Sequence, residues 1–185
     1  MIRLDCTLFW QRDLHHIGLK NTPKLLNGHG LFMKRVRRFN LKNSNILITG
    51  GAGYIGSHVA ERLVNSKLKI IAFDNLSRGN RKLINKKTKF IKADVNNLKK
   101  LKKVISENNV NTVIHLGGLA SVAESLIRKK KYYINNVLGT LNVIKACNKS
   151  SVKNFIYSSS CSVYGNVEGN VDEKKKPNPK SYYAY

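Results

Sequence analysis

The segment "NILITGGAGYIGSH" (45–58) constrains the fold more than any other stretch of the chain. A strand-sized apolar run runs straight into glycines at 50, 53 and 56. A helical pattern follows over 54–66, with Ile55, Val59 and Leu63 on one face. A glycine triplet alone also marks ordinary turns. Placed between a strand and an amphipathic helix, it reads as a phosphate cradle. Gly50 permits the tight turn, Gly53 removes the Cβ that would bar a pyrophosphate, and Gly56 lets the helix pack against the sheet. The helix N-terminus adds unpaired N–H groups and a positive dipole end.

The remainder repeats the same alternation. "KIIAF" reads as a second strand ending at Asp74, and "KFIKA" as a third ending at Asp94. A helix at about 98–108, the strand "TVIHL", a long helix at about 132–149 and a fifth strand, "NFIYS", follow. Strands alternating with helices make βαβ units. The expected fold class is therefore α/β, a Rossmann-like doubly wound parallel sheet. It occupies residues 44–185.

Residues 1–43 break the pattern. They carry Trp10, His15, His16, Pro23 and the basic cluster "KRVRR" (34–38) without sustained periodicity. No apolar core of a signal peptide is present, and the absence of serine before Ser44 argues against a transit peptide. The stretch reads as a basic N-terminal extension, disordered or a mis-assigned start with Met33 as the alternative, or else as a binding arm.

A formal net charge of +24 invites a nucleic-acid partner. "LKKLKKVI" (98–105) favours a plainer account, because Leu98, Leu101 and Ile105 share one helical face and the lysines take the other. No zinc-finger spacing or RNA-binding aromatic signature supports nucleic acid. No metal-ligand spacing stands out, and no apolar run is long enough to span a membrane. Cys6, Cys147 and Cys161 are scattered and form no disulfide framework, so a reducing cytoplasm is expected.

Asp74 lies about twenty residues beyond the glycines, at the tip of the second strand. A carboxylate there accepts hydrogen bonds from the adenosine ribose and repels a 2′-phosphate, which argues for NAD over NADP. Arg78 nearby could favour a phosphate and leaves the choice open. Asp94 could meet the adenine or cap its own loop. Gly117 and Gly118, in "HLGGLASVAES" (115–125), allow close backbone approach. "SSSCSVYG" (158–165) puts hydroxyls at a strand C-terminus, where open α/β sheets bind ligands. Cys161 in that run reads as a packing residue, since no His or second Cys stands near it in sequence.

In order along the chain, "TGGAGYIGSH", "FDNLSRGN", "ADV", "HLGGLASVAES", "YYINNVLGTLNVI", "VKNFIYSSSCSVYG" and "NPKSYYAY" resemble the nucleotide-sugar epimerase/dehydratase family, in the extended branch of the short-chain dehydrogenases/reductases. The resemblance runs from about Ile46 to Tyr185. "YYINNVLGT" and the Ser-rich loop favour the members that invert C4 of UDP-hexoses, interconverting UDP-glucose and UDP-galactose.

The resemblance implies NAD as cofactor and a UDP-sugar as substrate. Gly50, Gly53, Tyr54, Ile55, Gly56, Asp74 and Asn75 would line the cofactor. Asp94 and Val95 would reach its adenine end. Gly117, Gly118 and Leu119 would lie beneath it, and Asn135 near the nicotinamide. Ser160 would hydrogen-bond the sugar 4-hydroxyl, and Tyr183 would be the acid/base. A homodimer through helices including the one at 132–149 is also implied. Ala120 stands where many 4-epimerases carry a lysine, Lys129 replaces a frequent proline, and Tyr182 replaces the usual proline before the catalytic tyrosine. A pentose or N-acetylhexosamine nucleotide is therefore the substrate alternative, and a cofactor-binding remnant the functional one.

Tyr183 begins a YxxxK pair whose lysine belongs at position 187, past the last residue. The lysine matters because a free phenol titrates near pH 10 and a neighbouring cation lowers that value. The resemblance also implies that the sheet is incomplete here, truncated before its last strands and a C-terminal substrate domain. The chain as given is therefore expected to lack full activity, with the fifth strand left as an exposed edge.

Overall fold

The computed structural model describes residues 3–6, 41, 43–64, 66, 68–172 and 174–185. The strands are β1 (Arg3–Cys6), β2 (Asn45–Thr49), β3 (Lys69–Asp74), β4 (Lys89–Lys92), β5 (Thr112–His115) and β6 (Asn154–Tyr157). They form one parallel sheet in the order β1-β6-β5-β2-β3-β4. The order reverses between β2 and β5, which makes the topological switch point of a doubly wound sheet.

The strands are short and almost wholly apolar because both faces are covered. Leu47, Phe73, Val113 and Phe155 face one layer, made by α2 (Leu98–Glu107) and α5 (Gly139–Cys147). Ile46, Ile48, Ile70, Ile114 and Ile156 face the other, made by α1 (Tyr54–Val64). α2 starts where Asn97 Oδ1 accepts from Lys100 N at 2.9 Å, and it buries Leu101, Val104 and Ile105 while its lysines stay outside. This is the segregation expected of "LKKLKKVI".

Several local expectations are corrected. The face that α1 buries is Gly56, Ser57, Ala60, Leu63 and Val64, with Val59 partly buried against the same core; of the expected line Ile55, Val59 and Leu63, only Ile55 falls outside it, at 59% exposed. Small residues take the start of that face, where the helix sits close against the glycine turn. β4 ends at Lys92, two residues before Asp94. A helix α3 (Val122–Ile127) intervenes after β5, started by Ser121 Oγ accepting from Glu124 N. The long helix begins earlier than residue 132: α4 (Lys129–Tyr132) leads through a π-helical stretch, Tyr133–Leu138, into α5.

The strand expected to be the edge is not one. β6 pairs along its outer side with β1, in the register Arg3↔Asn154 through Cys6↔Tyr157. An open strand edge presents a row of unpaired backbone groups, and an extended segment of the same chain satisfies them. Trp10, His15, His16, Pro23, Met33 and the 34–38 basic cluster lie outside the described residues.

Candidate functional site: a crevice at the switch point

The crevice opens at the C-terminal ends of β2, β3 and β5, where the connections of β2 and β5 part in opposite directions. It encloses about 510 Å³ of empty space, part of it open to solvent. Its floor is the turn after β2. Gly50 has φ +69, and a Cβ there would lie 2.6 Å from the Leu116 carbonyl oxygen, so both its backbone and its neighbours demand glycine. Gly50 N donates to Phe73 O at 2.9 Å and Gly53 N to Gly50 O at 3.0 Å, which locks the turn between two strands.

The three glycines do different work. Gly53 lines the crevice, and its missing Cβ would approach only the Gly50 oxygen, at 3.2 Å. The space in front of it is free for a ligand. Gly56 lies behind the turn, where a Cβ would run into the Gly50 carbonyl. It therefore packs the helix onto the turn itself rather than onto the sheet. Gly51, which the motif spacing leaves unassigned, is held against Ala72 of β3 in the same way.

The β3 side of the rim is Asp74, Asn75, Ser77, Arg78 and Gly79. Asp74 is 8% exposed, with Oδ2 accepting from Ala52 N at 3.1 Å and Oδ1 from Leu76 N at 2.7 Å. These bonds fix the carboxylate between the two loops. Each oxygen keeps a further lone pair for a ligand hydroxyl. Asp94 does not line the crevice. Its Oδ2 accepts from Asn75 Nδ2 at 2.7 Å and its Oδ1 from Asn96 N at 2.8 Å. Partial burial works to raise its pKa, but the bonds from Asn96 and Asn75 outweigh that and hold it below the usual carboxylate value. Asp94 is thus a loop cap that positions Asn75, and the neighbouring Val95 does reach the crevice.

The β5 side is Leu116, Gly117, Gly118 and Leu119. Its conformation is imposed from the π-helical stretch. Asn136 Oδ1 accepts from Leu119 N at 2.8 Å, and Asn136 Nδ2 donates to Leu119 O at 2.9 Å. Asn135 Nδ2 donates to Gly117 O at 3.2 Å and to Asn136 Oδ1 at 2.9 Å. Asn135 lines the crevice as expected; Asn136, which sequence reasoning passed over, holds the loop in place. The doubled asparagine is the signal that was available.

Tyr54 and Ile55, expected to line the same space, do not. Tyr54 is 78% exposed and its ring lies 4.8 Å from that of His58. Ser160 ends β6's extension and its Oγ accepts from Ser162 N at 3.2 Å. Tyr183 docks against α3 and α4: its N–H donates to Ser125 Oγ at 3.1 Å, and its ring meets Tyr132 edge-on at 6.5 Å. Neither Ser160 nor Tyr183 is among the residues lining the crevice. Cys161, expected to pack, is exposed, whereas Cys147 is buried and its thiol is pushed up to about 12 by desolvation. Among the described residues no cluster of His, Cys, Asp and Glu could hold a metal ion.

A dinucleotide fits this donor set. The first turn of α1 offers amides without intrahelical partners, Gly53 leaves room above them, and Asp74 waits at the next strand tip. Comparison with known proteins agrees. Residues 46–185 match the NAD dependent epimerase/dehydratase family. The chain is 42% identical over 127 residues to a UDP-glucose 4-epimerase of Haemophilus influenzae, covering 65% of this chain and 38% of that one. It is 40% identical over 131 residues to a probable UDP-arabinose 4-epimerase of Arabidopsis thaliana, covering 66% of this chain and 32% of the other. The crystal structure of UDP-glucose 4-epimerase from Brucella ovis in complex with NAD superposes with TM-score 0.73 at 34% identity, over 76% of this chain and 43% of that one. This chain therefore spans well under half the length of these three. On the ordered glycine turn, the carboxylate at the β3 tip and the match from Ile46 to Tyr185, the chain belongs to the NAD dependent epimerase/dehydratase family.

Proposed function

We propose that the crevice binds NAD and that the polypeptide containing this chain inverts C4 of a UDP-hexose, interconverting UDP-glucose and UDP-galactose. The observation that carries this is the pairing of Gly53, open in front, with Asp74, fixed by Ala52 and Leu76 at the next strand tip. Gly50, Gly53 and the first turn of α1 would take the diphosphate, Asp74 the adenosine ribose, Val95 the adenine side, and Gly117, Gly118, Leu119 and Asn135 the nicotinamide half. Asp94 would act through Asn75.

Bound NAD would supply a reversible hydride acceptor for sugar C4. The remaining work falls to the protein. Tyr183 would take the proton of the 4-hydroxyl and later return it, and Ser160 would orient that oxygen. A 4-keto sugar formed in this way, turned over in the site, would regain hydride on its other face. The relatives' names support UDP-glucose first and UDP-arabinose second.

Self-association would use the exposed apolar residues of the long helix, Tyr133, Ile134, Val137, Leu138 and Leu141. No helix among the described residues is long and apolar enough to cross a membrane. The free Cys147 and Cys161 support a reducing cytoplasm.

Two measurements test the proposal. Calorimetric titration of the chain with NAD should show saturable binding that Gly53→Asp abolishes. The polypeptide containing it should convert UDP-galactose to UDP-glucose, with Tyr183→Phe losing turnover but keeping NAD. Failure to bind NAD at millimolar concentration overturns the first part; retained turnover in Tyr183→Phe overturns the second.

A further inference from the structure

NAD and NADP differ by one phosphate on the adenosine ribose, and a guanidinium is the side chain best shaped to grip it. This chain has one in the right place. Arg78 lines the crevice four residues after Asp74, beside Asn75 and Gly79. By sequence position alone it should blunt the discrimination that Asp74 provides.

The guanidinium is already occupied. Arg78 Nη2 donates to Glu124 Oε2. Glu124 belongs to α3, which follows β5, so the pair joins connections from opposite sides of the switch point. The carboxylate is set in advance. Ser121 caps the Glu124 amide at 3.2 Å, and the hydroxyl of Tyr132, a residue only 2% exposed, donates to Oε2 at 3.3 Å. Lys131 Nζ lies 3.2 Å from Oε1 and Arg128 Nη1 3.8 Å from it, leaving the side chain 18% exposed. Desolvation works to raise its pKa, but the Lys131 bond and the Arg78 and Lys131 charges outweigh it and keep it ionised. One carboxylate thus restrains three cations, any of which would otherwise be available to an anion.

We infer that Glu124 is a determinant of cofactor choice: it holds Arg78 away from the ribose 2′ position and so preserves the preference for NAD that Asp74 begins. An entering 2′-phosphate has to compete with a carboxylate that is already seated. Asp74 repels the phosphate directly; Glu124 withholds its natural partner. Glu124 is a positioning residue in this account, since it acts through Arg78.

The inference rests on the proposed binding of NAD, and the test separates the two. Dissociation constants for NAD and NADP are measured by calorimetry on the wild-type chain and on Glu124→Gln, Arg78→Gln and the double variant, with thermal melting as a check on folding. In Glu124→Gln the NADP-to-NAD ratio of dissociation constants should fall by about tenfold or more, through tighter NADP, as a freed charge-assisted hydrogen bond would give. The double variant should return to the wild-type ratio. Arg78→Gln alone should hold that ratio within about twofold, and this arm stands even if Glu124→Gln fails to fold. A Glu124→Gln ratio equal to the wild type's, with NAD still bound, overturns the inference and spares the NAD assignment. So does a fall that persists in the double variant, or a loss of NADP affinity in Arg78→Gln, which would show that Arg78 already reaches the phosphate. A wild-type chain that binds neither dinucleotide overturns both.

Discussion

Thr49 Oγ1 lies 2.5 Å from His115 Nδ1, joining the last residues of two paired strands directly below the glycine turn. The other ring nitrogen, Nε2, lies 2.9 Å from Thr140 Oγ1. Thr140 spends its single hydroxyl proton on Asn136 O, at 2.5 Å, so it accepts from His115 Nε2–H. Nδ1 is then bare and accepts from Thr49. One neutral imidazole thus links β2, β5 and the helix that carries Asn136.

That placement predicts a pH dependence. His115 is 3% exposed, and burial lowers its pKa to about 4. Between pH 6.5 and 4 the unfolded chain binds a proton at this residue that the folded chain refuses, so stability rises with pH through that window. The contribution is full above pH 6.5 and is lost as pH falls to about 4, on the order of 3 kcal/mol. Denaturant melts at pH 4, 5, 6 and 7 on the wild type and on His115→Asn would check it. The variant should be weaker at pH 7 but flatter with pH. Parallel curves would mean that another group carries the dependence.

The glycine turn separates folding from binding. Gly56→Ala would drive a methyl into the Gly50 carbonyl behind the turn. We expect a loss of about 3 kcal/mol, or about 10 °C in melting temperature. Gly53→Ala meets only the Gly50 oxygen, at 3.2 Å, and projects into the crevice. Its melting temperature should move by no more than about 3 °C while NAD affinity falls by about tenfold. The pair is read by differential scanning fluorimetry and calorimetry. Equal destabilisation by both substitutions would refute the division of labour.

The sheet and its phosphate turn were legible because they rest on local rules. Uninterrupted apolar runs mark strands buried on both faces, and glycines between a strand and a helix mark the cradle. What escaped depended on contacts between distant segments. Nothing in "YIGSHVAERLV" announces that Gly56 is buried against the turn while Ile55 beside it faces out, because the glycine turn sets that rotation. The pairing of Arg3–Cys6 with β6 joins segments about 150 residues apart and has no local signature. The sequence leaves Asp94 open between meeting the adenine and capping its loop, because the bond from Asn75 depends on how two separate loops come together.

Asn136 was missed for the same reason, and it gives a graded prediction. Its amide pairs with both the N–H and the C=O of Leu119. Asn136→Asp keeps the acceptor for Leu119 N–H and loses the donor to Leu119 O. Asn136→Ala loses both and leaves part-buried backbone groups unpaired, a cost of about 2 kcal/mol. Stability and NAD affinity should both fall in the order Asn, Asp, Ala, because Leu119 lines the crevice. Thermal melts and titrations at one pH measure this. An alanine variant that binds NAD like the wild type would show that the loop holds itself.

Cysteine chemistry offers a test of the packing on the far side of the sheet. Cys147 is 1% exposed, joins the core with Val143 and Ala146, and has its thiol pushed up to about 12 by desolvation. The thiolate is the reacting species, so at pH 8 this residue should be both inaccessible and almost wholly protonated. Cys161 is exposed in the Ser-rich loop after β6. Brief treatment of the folded chain with iodoacetamide at pH 8, followed by peptide mass mapping, should find Cys161 alkylated and Cys147 intact. Denaturant should bring Cys147 to full modification. Cys147 labelling in the native chain at the rate of Cys161 would mean that α5 does not pack against the sheet as described, and the support it gives to Asn136 and the crevice would fall with it.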